Sequence, residues 1–322
     1  MQRLTLAGGI PEALRGAIVA LGNFDGFHLG HQAVVGRSIQ RGFHERRPVI
    51  VATFDPHPVR FFKPDVAPFR LTTLDQREAL FAHAGADAML VFEFDKTLCI
   101  TSAEDFVDDV LAQQIGVAGV VTGDDFTFGR ARKGNVETLR TLGQASGIVA
   151  EAVAPVALGD LRISSGRIRE ALQAGDTATA TKLMSRDFAI EGIVQAGDKR
   201  GRELGYPTAN IPADPGAAVP QDGVYAGWLT VLTPAPGAPA YPDPLPAAIS
   251  VGSNPTFDGV DRRVESYVLD RDDLELYGAG VAIDFVARLR GTQIRFDSID
   301  ELLVQMKADV DGARRLLSTD PG

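Results

Sequence analysis

The sequence is poor in the residues that several kinds of chemistry require. Among its 322 residues there is one cysteine, Cys99, so no internal disulfide forms and the chain fits a reducing compartment. Five histidines are present, His28, His31, His44, His57 and His83, and none lies beyond residue 83. Any proton transfer in the second half must use another group, most naturally a carboxylate. No apolar run approaches the length of a membrane-spanning helix. Residues 1–14 lack a basic segment followed by a long apolar core, so no secretory leader is expected there and a cytoplasmic location is. Positive charge is in deficit: 32 Lys and Arg against 42 Asp and Glu leave a net charge of −10. That balance argues against a nucleic-acid or membrane partner, yet leaves room for a local basic pocket that holds phosphates. Nothing in the sequence fixes an oligomeric state.

What is present describes an ordinary globular protein, with 45% hydrophobic and 23% charged residues and a length that favours two domains. The most informative stretch is Gly22-Asn23-Phe24-Asp25-Gly26-Phe27-His28-Leu29-Gly30-His31. An apolar run at 17–21 reads as a strand before it, and residues 32–46 read as a helix after it. A strand that enters a helix through glycines offers free N–H donors and a positive dipole end to phosphates. Gly26 and Gly30 carry no Cβ, which allows close approach to the backbone. A P-loop would need a lysine here that the chain does not have. His28 and His31 stand in its place, three residues apart and on one side of the first turn.

Strand-like and helix-like runs then alternate. Strands are expected at 48–54, 88–94, 117–122 and 148–156. Helices are expected at 74–84, 102–115 and 135–145, the second opened by the capping pattern Ser102 to Asp105, and two short ones start near Ser164 and Asp176. This pattern implies a parallel sheet with helices on both faces, whose ligands sit at the carboxyl ends of strands. Three further motifs fall at such ends: Thr53-Phe54-Asp55-Pro56-His57-Pro58, Gly123-Asp124-Asp125-Phe126-Thr127-Phe128-Gly129, and Ser164-Ser165-Gly166-Arg167-Ile168-Arg169.

The alternation stops near 184–189, where a domain boundary is expected, giving domains 1–184 and 185–322. Strand-like runs then come at 190–196, 224–232, 247–251, 263–269 and 281–290, with a proline- and alanine-rich connection at 234–246 and a terminal helix at 298–317. Several strands and one closing helix suggest a small antiparallel β-barrel. The fold class is therefore α/β, with a Rossmann-like first domain and a barrel for the second. Gly192 to Asn210 holds glycines at 197, 201 and 205, whose loop N–H groups can wrap phosphates, and ends in Pro207-Thr208-Ala209-Asn210. Thr208 and Asn210 are neutral oxygen donors of the kind magnesium accepts.

These motifs, in this order, resemble the bacterial bifunctional riboflavin kinase/FAD synthetase family. The His-x-Gly-His turn is similar to its nucleotidylyltransferase signature, the 164–169 segment to a Ser-Ser-Thr/Ser-x-Ile-Arg box, and the Pro-Thr-Ala-Asn string to its kinase domain. Gly166 departs from the box by lacking a hydroxyl. Ser250 to Phe257 resembles a Gly-x-x-Pro-Thr-Phe segment in which many members have Arg where this chain has Asn254. The resemblance implies two reactions: riboflavin and ATP giving FMN, and FMN and ATP giving FAD and pyrophosphate, with Mg2+ in both.

Roles follow from that chemistry. A phosphate monoester has a second pKa near ~6 and arrives as an anion, so adenylyl transfer needs positioning and positive charge rather than a base. His28 and His31 are the expected catalytic donors. Asn23, Phe24, Asp25, Gly26, Gly30, Asp125, Ser164, Ser165, Arg167 and Arg169 are expected around ATP, and Asp55, Pro56, His57 and Pro58 near the flavin. Gly197, Gly201 and Gly205 are expected around the second ATP, with Thr208 and Asn210 on the metal. The riboflavin 5′-hydroxyl is a neutral alcohol that a base helps to deprotonate, and Glu265 matches the family's catalytic Glu. Arg202 and Arg263 could add charge. Plainer readings stand beside these: Ser164 as a helix cap, Arg167 as a solvated arginine, Asp55 as a turn residue, Asp125 as an ATP contact through ribose or metal or as a turn cap, and Phe54, Phe126 and Phe128 as core or flavin-stacking rings. Two other functions stay open: a kinase whose first domain acts on another acceptor, and a non-catalytic flavin-binding protein.

Overall fold

The computed structural model describes residues 1–67, 69–159, 161–196, 204–256, 259–291 and 298–318, with the backbone alone for 253–256 and 259–261. It divides into two compact units, Met1–Ser165 and Gly166–Gly322.

The first unit is built on a six-stranded parallel sheet. Its strands are β1 (Gln2–Thr5), β2 (Ile18–Leu21), β3 (Val49–Asp55), β4 (Ala88–Glu93), β5 (Gly119–Gly123) and β6 (Val149–Val153), in the order β1-β4-β3-β2-β5-β6. β2 is wholly buried, and its alternate residues feed two cores. Ile18 and Ala20 join Val34, Val35 and Phe81 on the face covered by α1 (Leu29–Glu45) and α3 (Leu74–Ala84). Val19 and Leu21 join Phe106, Leu111 and Leu139 on the other face, covered by the helix that starts at α5 (Ala103–Asp105) and by α6 (Val136–Ala145). The short α2 (Pro58–Phe62) and α4 (Lys96–Ile100) come directly after β3 and β4.

The expected helix at 102–115 is present with Ser102 as its cap, the Asp105 N–H donating to its Oγ at 3.0 Å. Beyond Asp105 it continues as a π-helix, Phe106–Ile115. β1 was not expected. Only one of its four residues is buried, so it carries no hydrophobic pattern.

The second unit begins with α7 (Ser165–Ala174), counted from its second residue, and α8 (Thr177–Met184). A hairpin of two short strands, β7 (Ala157–Leu158) and β8 (Leu161–Arg162), precedes α7. These two helices are bonded to residues further along the second unit. The Gln221 N–H donates to the Leu172 carbonyl at 2.8 Å, and Thr177 Oγ1 donates to the Val286 carbonyl at 3.1 Å.

The six strands of this unit are antiparallel: β9 (Phe188–Ile193), β10 (Thr208–Pro212), β11 (Gly223–Thr233), β12 (Leu245–Thr256), β13 (Gly259–Val268) and β14 (Gly280–Gly291), in the order β10-β13-β12-β11-β14-β9. Just past β9, the Gln195 N–H donates to the Asn210 carbonyl at 2.8 Å and links the two edges, which bends the sheet towards closure. The terminal helix α9 (Ile299–Leu317) lays Val310, Ala313 and Leu317 on the outer face, against Ala226, Ala248 and Leu269.

On β14, Asp284 shares its surroundings with Asp187, Glu191 and Arg186. Burial, with the charges of Asp187 and Glu191, pushes its carboxyl up to about 6, against the pull of Arg186. Since that lies above an unfolded aspartate's value, the folded chain holds the extra proton between about pH 4 and 6. The penalty for ionising Asp284 is absent below that window and complete above it. Asp284→Asn is therefore expected to gain stability relative to the parent on going from about pH 4.5 to about pH 7, by roughly 1–2 kcal/mol. Thermal unfolding at both pH values checks this; a mutant-to-parent difference that does not change with pH contradicts it.

Candidate active sites

β2 is the strand from which the first sheet turns both ways, with β3 on one side and β5 on the other. The crevice at its carboxyl end is where such sheets bind ligands. The glycine-rich turn fills it. Phe24 and Phe27 hold left-handed φ of 49° and 36°, and Gly26 has φ 82°, so three residues in four hold a backbone that L side chains rarely adopt. A Cβ on Gly26 would meet Leu71 Cδ1 at 2.7 Å.

His28 caps α1, its Nδ1 accepting from the His31 N–H at 3.3 Å. An accepting Nδ1 leaves Nε2 to carry the ring's N–H. The rings of His28 and His31 stack 3.6 Å apart at 15°, and Phe24 meets His31 edge-on at 5.3 Å. Gly30 lies close beneath them: a Cβ there would sit 3.2 Å from the His28 ring, a tight contact.

Asp25 is 2% exposed, and its carboxylate accepts from the N–H groups of Leu71 and Thr72 at 2.9 and 3.0 Å and from Thr72 Oγ1 at 3.3 Å. It ties the turn to the segment before α3. Asn23 supplies its carbonyl to Thr53 Oγ1 at 2.8 Å. Ser165 Oγ, on the last residue of the first unit, donates to the Asp25 carbonyl at 2.8 Å, with Ser164 half-buried beside it. Arg167 and Arg169 lie further along α7, exposed and half-buried. Asp125, in the loop after β5, forms an exposed ion pair with Arg162.

Asp55 ends β3 and lines a cavity of ≈ 610 Å³ with Leu6, Phe92, Glu93 and Leu98. The Asp55–Pro56 peptide is cis. His57 caps α2 through Nδ1, which accepts from the Val59 N–H at 3.1 Å, and its ring meets Phe69 edge-on at 5.1 Å. Pro58 takes the first helical position. Phe54 and Phe128 are buried in the core with Phe92 and Phe106, and Phe126 packs partly buried against them. Phe62 on α2 is 63% exposed beside Phe61 and Phe94, an apolar surface that the motifs do not single out.

In the second unit the register of β10 on β13 sets Asn210 opposite Glu265 and Thr208 opposite Tyr267. Asn210 is 6% exposed, and its Nδ2 donates to Glu265 Oε1 at 3.4 Å. Ser250 of β12 flanks Glu265 on the other side. Because side chains alternate along a strand, Arg263, Glu265 and Tyr267 share the outer face with Thr208 and Asn210, while Val264, Ser266 and Val268 are buried on the other. Tyr206 meets Tyr267 edge-on at 5.2 Å, and burial holds the Tyr267 phenol above its usual value. Gly205 has φ 85° and open space about it. Gly197, Gly201 and Arg202, and the side chain of Asn254, lie outside the described residues.

Two family models match in tandem, FAD synthetase over residues 10–167 and riboflavin kinase over residues 184–317. The bifunctional riboflavin kinase/FMN adenylyltransferase of Escherichia coli (strain K12) is 35% identical over 93% of this chain and 92% of its own length. Those of Pseudomonas fluorescens and Bacillus subtilis (strain 168) are 37% and 33% identical, over 94% and 96% of this chain and 93% and 95% of their own. This chain belongs to the bifunctional riboflavin kinase/FMN adenylyltransferase family. It phosphorylates riboflavin to FMN and adenylylates FMN to FAD, with ATP as co-substrate. A solved structure, the macrolide-efflux protein from Streptococcus pneumoniae, has the same fold, with a TM-score of 0.84 at 28% identity over 98% of this chain and 99% of that one. Among the described residues no helix is long and apolar enough to cross a membrane.

For a member of the riboflavin kinase/FMN adenylyltransferase family, the donor set on β10 is suited to a hard cation. Among the described residues no group of three His, Cys, Asp or Glu could hold a metal. Thr208 and Asn210 are neutral oxygen donors of the kind a hard cation accepts, and it is the amide nitrogen of Asn210, not its oxygen, that is turned to Glu265. Beneath the histidine turn, Thr53, Thr72 and Arg77 carry much of the bonding that shapes it. Thr53 belongs to a motif whose other residues carry the expected roles. Thr72 and Arg77 stand in none.

Proposed function

We propose that adenylyl transfer takes place at the turn of residues 23–31, within the region 1–184, and riboflavin phosphorylation at the β10–β13 pair, within 185–322. The stacked His28–His31 pair at the start of α1 carries the first assignment. Two ring N–H groups and the helix N-terminus face a triphosphate whose α-phosphorus the FMN phosphate attacks, and they stabilise charge on the leaving oxygens. Asn23, Phe24, Gly26 and Gly30 shape the floor, Asp25 acts on ATP through the loop it holds, Ser164 and Ser165 add donors, and Arg167 and Arg169, which follow them in sequence, are further ATP contacts. Asp125 reaches ATP from the loop after β5. Asp55, Pro56, His57 and Pro58 border the flavin, with the exposed Phe62 offering apolar surface nearby.

At the second centre Glu265 accepts the proton of the riboflavin 5′-hydroxyl, and Asn210 holds its carboxylate. Thr208 and Asn210 hold Mg2+, which supplies charge neutralisation for the ATP phosphates. Gly197, Gly201 and Gly205 wrap those phosphates. The enzyme works in the cytoplasm. Incubation with riboflavin, ATP and magnesium, followed by chromatography, yields FMN and then FAD. Replacing Asn210 by Ala raises the magnesium needed for half-maximal riboflavin phosphorylation by about 10–100-fold. A magnesium titration that does not move removes the metal role from that residue.

A further inference from the structure

Arg77 is the largest fully buried side chain of the molecule's described residues, 2% exposed, on the second turn of α3. It reaches three separate stretches of chain. Nη1 donates to Thr53 Oγ1 at 2.8 Å and to the Asn23 carbonyl at 3.4 Å, and Nη2 to the Thr72 carbonyl at 3.5 Å. Those stretches are bonded to one another around it. Thr53 Oγ1 donates in turn to the Asn23 carbonyl, Thr72 Oγ1 accepts from the Gly26 N–H at 3.0 Å, and Asp25 accepts from the N–H groups of Leu71 and Thr72. Among the described residues every hydrogen-bond partner of the guanidinium is a neutral oxygen, and its Nε has none.

This is a costly way to fill space. A buried cation without a bonded carboxylate is disfavoured, and an apolar side chain of similar volume serves packing better. Burial holds the guanidinium below its usual value, and the charges of Asp25 and Asp55 act the other way. What an apolar side chain cannot do is join three acceptors on different segments in one plane, which the rigid fork of arginine does. The segments joined are the turn that presents His28 and His31, the end of β3 next to Asp55, and the loop that Asp25 holds.

We propose that Arg77 is a positioning residue for adenylyl transfer, fixing the backbone of the 23–26 turn and so the placement of the His28 and His31 donors. The inference rests on the assignment of transfer to that turn. It also makes Thr53 a relay, since its hydroxyl both receives from Arg77 and holds Asn23.

The test uses the full chain, assayed well below its melting temperature, with circular dichroism on the same sample as the measure of folded enzyme. Arg77→Met is expected to lower kcat for FAD formation from FMN by about 100-fold, with KM for ATP changed by less than about threefold. Arg77→Lys keeps the charge without the fork and is expected to fall between parent and Met. Thr53→Val, isosteric and without the hydroxyl, lowers kcat by about tenfold. A role in stability alone would lower the melting temperature while leaving kcat per folded molecule unchanged, with circular dichroism at the assay temperature as the measure of folded molecules. Should Arg77→Met fail to fold, Arg77→Lys and Thr53→Val decide the matter, and undiminished FAD formation in both overturns the proposal. His28→Ala is the control. If it is inactive while those two are fully active, only the Arg77 inference fails; if it too is fully active, the placement of the site fails with it.

Discussion

A chain carrying His28→Ala and His31→Ala makes FMN from riboflavin and ATP and stops there. FAD formation from added FMN falls by at least about 10³-fold, since a single preorganised donor to a developing oxyanion is worth about 10²–10³ in kcat. The two losses do not multiply, because the stacked rings act as one unit. Riboflavin phosphorylation is untouched, because its residues stand on β10 and β13 of the other unit. Chromatography of the products reads both reactions at once, and loss of FMN together with FAD contradicts two independent centres. His28 has a second duty as the cap of α1, and losing a cap costs about 1 kcal/mol of stability. His28→Asn separates the duties. Asparagine caps well but brings no imidazole N–H, so it is expected to restore the melting temperature and leave FAD formation low.

The parts of the fold that sequence made legible are those written in local chemistry. The buried strands of the first sheet are short apolar runs, and the cap at Ser102 sits where its spacing puts it. The glycine-rich turn could be read because Gly26 answers its own positive φ and Gly30 a contact with the His28 ring two residues back, whereas the contact of Gly26 with Leu71 is distant in sequence. What was not legible depends on partners far along the chain. Asn210 and Glu265 meet only through the β10–β13 register, 55 residues apart in sequence. β10 itself was hidden because Thr208-Ala209-Asn210 reads as a motif rather than a strand. Arg77 lies on a helix with little amphipathic pattern, and its value to the turn comes from Thr53 and Asn23, 24 and 54 positions away. The attachment of α7 and α8 is of the same kind. α7 and α8 continue the alternation of the first half in sequence, yet their bonds run to Gln221 and Val286.

Glu265→Gln tests the opposite requirement of the second reaction. Its nucleophile is an alcohol with a proton to lose, and a positioned base contributes about 10²–10⁴-fold. Glutamine is nearly isosteric and keeps an oxygen for the Asn210 amide, so the geometry of the β10–β13 pair is retained while the basicity is removed. FMN formation is expected to slow by that factor, mostly in kcat, with FAD made from added FMN unchanged. Asn210→Ala, by contrast, keeps the carboxylate while removing the amide that holds it, and shifts the magnesium requirement, so the two variants differ in kind as well as in degree. If Glu265→Gln phosphorylates riboflavin at the parent rate, the proton leaves by another route. The outer face of β13 then offers the carboxylate at 265 no part in the chemistry beyond orienting Asn210.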